Sequence, residues 1–335
     1  MRINTVMKKN ILIFLLFLAL LLSVIVSMNV GKMNLNPSEV LNVILGNGTQ
    51  KQNLIVYEFR LPRIVLSILV GIGMATSGCI LQALFKNDLA DPGILGISSG
   101  SGLFMLIYIS VFAVNGVSSA IALPVLSFVG GMIAAILIYV LSYKRNADMS
   151  PTRLVLTGVA MNTGFGALSL FITLKLNRNQ FEFAQKWLVG SLWGDDWRYI
   201  AILLPWILVF CLYAYYKART LNILNLGNQL ATGVGVPVKK EFLGLSISAV
   251  ALASGSVALG GSMFFVGLIS PHIARKIVGP NHKVLLPSCA LIGALIMVLA
   301  DTITRTVSFG ADIPTGIIIT ILSTPYFIYL LSRSE

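Results

Sequence analysis

Between Glu58 and Gly102 the chain reads EFRLPRIVLSILVGIGMATSGCILQALFKNDLADPGILGISSGSG, a pattern that few folds accommodate. Arg-Leu-Pro-Arg leads into roughly twenty apolar or small residues, long enough to cross the hydrocarbon of a bilayer as one helix. A polar elbow, Lys86-Asn87-Asp88, breaks the run, and a second apolar run opens on Asp91-Pro92-Gly93. Two membrane helices joined by a tight loop, with two arginines at one mouth and a structured turn at the other, imply transport rather than simple anchoring.

Composition agrees. With 56% hydrophobic and 11% charged residues the chain is too apolar for a soluble domain. Its longest weakly apolar stretch, residues 177 to 198, is too short to bury a core of its own, so residues 1–335 are expected to form a single transmembrane domain. The formal charge of +12 raises the possibility of nucleic-acid binding, but the cations fall at helix ends and form no basic face. Cys79, Cys211 and Cys289 lie inside apolar runs without metal or CxxC spacing and read as small hydrophobes. Lys8 and Lys9 precede an apolar run from Ile11 to Val30 that is long for a signal peptide and lacks a small-x-small cleavage site. It reads as an uncleaved first span with its amino end in the cytoplasm.

Apolar runs near 11–30, 64–85, 93–113, 119–142, 152–174, 199–216, 241–258, 262–278, 284–302 and 314–331 give about ten spans, an all-α polytopic bundle. With both termini cytoplasmic, 15 of the 24 lysines and arginines fall inside and 9 outside, as the positive-inside rule requires. Small residues four apart, such as Gly71 with Ala75 and Gly130 with Ala134, favour close helix packing in lipid.

Several constellations stand out. Arg60 and Arg63 flank Pro62, and a cation in the first turn of a helix opposes the macrodipole, so helix stability does not explain them. They read either as interfacial arginines paired with Glu58 or a lipid phosphate, or as a positive rim for an acidic partner. Arg305 could join that rim or pair with Asp301 or Asp312. Ser150-Pro151-Thr152 caps the fifth span and could also form a gate. Leu221 to Lys240 is a polar, Gly-rich insertion in which residues 228–234 are expected to form a short docking helix ended by Gly235 and Pro237. His272 reads as a hydrogen-bonded structural histidine. There is no phosphate loop, HExxH, GxSxG or paired intramembrane carboxylate, so neither catalysis nor a bound cofactor or metal is expected in this chain. Asp301 is the one acid deep in a proposed span, which argues against an ion-coupled secondary carrier, the rival reading.

Taken together, Arg60-Leu61-Pro62-Arg63, Ser77-Gly78 through Gln82, residues 87–92 with Leu95-Gly96, Phe265-Val266-Gly267-Leu268 with residues 271–275, Leu286-Pro287, residues 312–316 and residues 325–327 resemble the permease subunits of binding-protein-dependent ABC importers, the type II importers of iron–siderophore complexes, haem and cobalamin. The resemblance covers essentially the whole chain. It implies about ten spans, a second permease chain in a homo- or heterodimer, two cytoplasmic ATPase subunits that carry ATP and magnesium, an extracytoplasmic binding protein, and a bacterial plasma membrane. By position, Arg60, Arg63 and Arg305 match outer arginines that receive the binding protein. Gly227, Asn228, Gln229, Leu230, Ala231, Thr232, Gly233 and Gly235 match the ATPase-coupling helices, and Ser150, Pro151 and Thr152 match an inner gate. The chain departs from the family in carrying Lys86-Asn87-Asp88 for Arg-Asn-Pro, and neutral Asn228 and Gln229 where acids often stand. An iron–siderophore chelate is the first expected cargo, with haem and cobalamin as alternatives.

Overall fold

A computed structural model of the chain describes residues 2–31, 35–112, 116–142, 151–193, 196–307 and 313–332. Helix α1 (Arg2–Asn29) is followed by two short helices, α2 (Pro37–Ile44) and α3 (Gln50–Asn53). A π-helical turn, Leu54–Arg60, then carries the chain without a break into α4 (Leu61–Phe85). Next come α5 (Ile97–Val111), α6 (Gly116–Ser142), α7 (Pro151–Thr173), the short α8 (Arg178–Leu188) and α9 (Trp197–Tyr216). The elbow helices α10 (Ala218–Leu226) and α11 (Asn228–Gly233) precede α12 (Val238–Gly260), α13 (Val266–Val278), α14 (His282–Thr306) and α15 (Thr315–Ser332). Each apolar run read from the sequence overlaps one of these helices, α5 and α13 beginning four residues later than expected. Among the described residues, seven helical stretches are long and apolar enough to cross a membrane: those of α1, α4, α6, α7, α9, α12 and α14.

The eighth expected run behaves differently. Residues 262–265 are not helical, and α13 alone has 13 residues, a rise of about 20 Å against the ~30 Å hydrocarbon core. The chain turns at Gly261 (φ +69°), and Phe265 stands in the left-handed region at φ +69° immediately before α13. A half-length helix beginning inside the bundle is the result.

Helix α4 forms the centre. In its apolar window 83% of residues are buried, against 72% in α12, 61% in α14, 39% in α6, 22% in α1 and α9 and 17% in α7, so α12 and α14 are its inner neighbours and α1, α7 and α9 lie at the periphery of the chain. The cause is the sequence of α4. A Cβ at Gly71 would lie 2.6 Å from the carbonyl carbon of Gly293 and 2.8 Å from Cα of Ala294, and one at Gly78 would collide with the carbonyl of Gly267. Only glycine permits backbones this close, and in lipid such contact, not burial from water, drives helix association. Ser77 adds a hydrogen bond from its hydroxyl to the Ala249 carbonyl of α12 at 2.7 Å.

Short polar helices collect at the two ends. The indole of Trp197, at the start of α9, donates to the Tyr57 carbonyl beside the π turn (2.9 Å), which sets α2, α3, α8 and the π turn at one end. Asn222 of α10 bonds Asn281 at the head of α14 (3.0 Å), which fixes α10 and α11 at the other.

Candidate functional site: an arginine joint and a coupling elbow

At the first end, local chemistry begins with Pro62. Without an N–H it cannot give Glu58 the usual i+4 hydrogen bond. The helix instead widens into the π turn, where the Leu61 N–H reaches back to the Val56 carbonyl. Arg60 thereby turns inward. It is 5% exposed, and its guanidinium donates to the Met28 carbonyl in the last turn of α1. Arg63 donates from Nε to Asp301 Oδ1 at 2.8 Å, and Arg305 from Nε to Asp301 Oδ2 at 2.9 Å. Arg305 also donates to the Ser27 hydroxyl and carbonyl of α1. Asp301 itself is 1% exposed. The result is a joint in which one buried carboxylate and three arginines tie α1, α4 and α14 together. Both oxygens of the carboxylate are engaged, which is what a desolvated charge requires.

At the other end a neutral latch is flanked by ion pairs. Lys217, just after α9, pairs with Glu241 of α12 at 2.7 Å, and that carboxylate holds the ammonium above its ordinary pKa. From there α10 lies against the bundle through Ala218, Leu221 and Leu224. Gly227 takes φ +127°, a conformation open to glycine, and the chain reverses into α11. Gly235 N–H donates to the Thr232 carbonyl and Val236 N–H to the Ala231 carbonyl, both at 2.9 Å, so α11 ends in a Schellman cap with glycine in the left-handed position. Ala231 is the one buried residue of α11, whereas Leu226, Leu230 and Val234 are 71%, 61% and 68% exposed, leaving an apolar knob on the surface.

The elbow is latched to α14 by Asn222. Its Nδ2 donates to Asn281 Oδ1, which also caps α14 by accepting from the Lys283 N–H (3.1 Å). Its Oδ1 accepts from the His282 N–H at 2.9 Å and lies 2.8 Å from His282 Nδ1. Beside this latch, Arg275 at the end of α13 donates to Asp88 and to Gln82 Oε1 (3.2 Å). The loop between α4 and α5 closes on Asp91, whose Oδ1 accepts from the N–H groups of Gly93 (2.8 Å) and Ile94 (3.4 Å). Asp91 is 1% exposed, and burial pushes its carboxyl up to about 6.

A model of the FecCD transport family matches residues 19–333. The chain belongs to the FecCD transport family. It is 43% identical over 334 residues to the iron(3+)-hydroxamate import system permease protein FhuG of Bacillus subtilis (strain 168), covering 98% of each chain. It is 38% identical to the iron-uptake system permease protein FeuC of the same organism, over 96% of this chain and 97% of that one. A solved structure of a metal-chelate type ABC transporter in an inward-facing conformation superposes with a TM-score of 0.81 at 28% identity, over 97% of this chain and 99% of the other.

In this FecCD chain the expected site residues divide into groups. Arg63 and Arg305 meet on Asp301, and Arg60 lies beside Arg305 with its guanidinium on the Met28 carbonyl, so the three form a joint and not an open surface. Arg60, expected at the rim, is buried because the π turn rotates it toward α1. The Arg63 side chain, 26% exposed, offers the most surface of the two that grip Asp301. Of the two expected acids for Arg305, Asp301 is the partner found, and Asp312 lies outside the described residues. The short helix expected at residues 228–234 is α11, within one residue. Ser150 lies outside the described residues; Pro151 heads α7, and beside the exposed Thr152, Arg153 donates to the Ser142 carbonyl of α6 at 3.3 Å. His272 is hydrogen-bonded to the Tyr326 hydroxyl at 2.6 Å. Sequence reasoning missed Asn222, whose partners lie some sixty positions away, and the buried state of Asp91.

Proposed function

We propose that this chain is the membrane permease subunit of an ATP-binding-cassette importer for an iron–siderophore chelate of the hydroxamate type. The observation that carries the reading is the 43% identity over 98% of both chains to FhuG, a relative named for iron(3+)-hydroxamate import. The exposed apolar α11 supports it physically, because such a knob at a helix–glycine–helix reversal is suited to a cleft of a second protein.

In this reading the chain performs no bond chemistry. Two ATPase subunits hold ATP and magnesium and close beneath α11. The push reaches α10, crosses the Asn222 latch to the head of α14, and moves the packed α4–α14 pair. A second permease chain completes the path, and an extracytoplasmic binding protein delivers the chelate against the arginine end, where Arg63 offers the docking charge. Elbow and termini face the cytoplasm of a bacterial plasma membrane, consistent with the cation bias of the sequence.

The test is uptake of radiolabelled ferric hydroxamate, ferric catecholate, haemin and cobalamin by cells with and without this chain. Selective loss of ferric hydroxamate uptake is expected. Loss of haemin or cobalamin uptake alone would replace the cargo assignment. For the side of the membrane, Leu230→Cys in a cysteine-free background should react with an impermeant maleimide only in inside-out vesicles.

A further inference from the structure

Helices α6 and α12 touch where Gly131 meets the Ser254 hydroxyl, then part toward the elbow end. Between them lies a cavity of about 570 Å³, within the usual range for small-molecule sites. Its walls are mainly apolar, from Leu84 and Phe85 of α4 to Ala135 of α6 and Phe242 and Val250 of α12, with Ser246 among them. Ile136 and Tyr139 of α6 and Leu243 of α12 also line it and are 53%, 45% and 62% exposed, so the cavity reaches the outer surface of two apolar spans. Its elbow-side rim carries two exposed lysines, Lys86 and Lys239, with Asn228 of α11 between the bundle and the elbow.

The distribution of charge selects the occupant. Lys86 Nζ has a neutral hydrogen-bonding neighbour, Asn228 Oδ1, at 3.5 Å. The acids next along the chain are committed elsewhere, Asp88 to Arg275 and Glu241 to Lys217. Among the described residues neither Lys86 nor Lys239 forms a salt bridge, so the rim is cationic while the walls are apolar. Two lysines at the rim of an apolar cleft that reaches the surface between two spans match the charge and the chain of an anionic lipid.

We propose that this cavity binds one anionic phospholipid, with an acyl chain between α6 and α12 and its phosphate on Lys86 and Lys239. Hydrocarbon gains little by leaving the bilayer for an apolar cleft, so the headgroup supplies the selectivity, about fivefold in affinity for each lysine. Because Asn228 begins α11, the lipid braces the coupling elbow against the bundle. The site goes beyond the proposed function and rests on it only for which leaflet supplies the lipid.

The experiment uses the delipidated full chain in detergent, titrated with dioleoyl-phosphatidylglycerol, dioleoyl-phosphatidylcholine or glycerol phosphate, and read by native mass spectrometry and thermal unfolding. Phosphatidylglycerol is expected to bind one-to-one and raise the melting temperature, with no shift from the other two. The double variant Lys86→Gln/Lys239→Gln should weaken binding about 25-fold, and Ala135→Phe, which fills the cavity and keeps the lysines, should abolish it. Equal shifts from both phospholipids, or a shift from glycerol phosphate, would overturn the proposal. So would lipid retention by Ala135→Phe, which would put the lipid on the outer surface, or a shift from a ferric hydroxamate lost in that variant, which would make the cavity part of the cargo path. Failure of ferric hydroxamate uptake in cells would change the cargo assignment and leave these binding measurements untouched.

Discussion

The two ends of α14 are held by different chemistry. At the arginine end a carboxylate that is 1% exposed has both oxygens bonded to guanidinium groups from two helices, and α1 is drawn in through Ser27 and Met28. At the elbow end a single asparagine side chain joins α10 to α14 through amide, backbone and imidazole groups. Breaking a buried ion pair leaves a desolvated charge behind, whereas a neutral hydrogen bond contributes about 0.5–1.5 kcal/mol net. The contrast suits a lever with a fixed end and an end that can shift under load.

The sharpest test of that contrast is Asp301→Ala. It strands Arg63 and Arg305 against a buried gap and should destabilise the chain by about 3–5 kcal/mol, seen as a large drop in thermal unfolding temperature in detergent. An effect below about 1 kcal/mol would mean the arginine end is not the fixed one.

Second in size is Asp91, the buried acid at the elbow end. Its folded pKa, about 6, lies above the ordinary value of 3.8, so the folded state prefers the protonated form. No stability is lost below about pH 4; the penalty grows as pH rises from about 4 to 6 and is complete above, roughly 2–3 kcal/mol. Asp91→Asn keeps the Oδ1 acceptor for Gly93 and Ile94 and should remove that slope. Unfolding curves of variant and parent should coincide near pH 4 and separate above pH 6, with the variant the more stable.

Asn222→Ala should cost about 1–2 kcal/mol, since it leaves the Asn281 and His282 groups of a partly buried site without their partner. Uptake should fall further than that loss of stability explains, while binding of the ATPase through α11 persists. Equal losses of uptake and ATPase binding would remove the latch role. The smallest effect belongs to Lys217→Gln. The pair with Glu241 is partly solvated, 22% and 12% exposed, so about 0.5 kcal/mol is expected, shrinking with added salt.

Much of this molecule was legible in its sequence because hydrophobic length and backbone punctuation are local signals. The apolar runs became helices, and Gly227, Gly235 and Pro237 bounded α11 because each removes or imposes a backbone conformation regardless of context. What resisted reading was non-local. Arg60, Arg63 and Arg305 could be singled out by spacing, yet nothing near them says that Asp301 lies between two of them or that a π turn buries the third. The half-length of α13 follows from a left-handed Phe265, a residue type that gives no warning of positive φ. Asn222 is one polar residue among many in its segment, and only the fold brings it to His282.

The meeting of Gly71 with Gly293 has a mechanical consequence. Where two backbones touch there is no cushion of side chains to slide, so neither helix can slip lengthwise past its neighbour without carbonyl striking Cα. Helices α4 and α14 therefore form one stiff pair. Larger residues at this seam would have to push the two backbones apart and so loosen the pair.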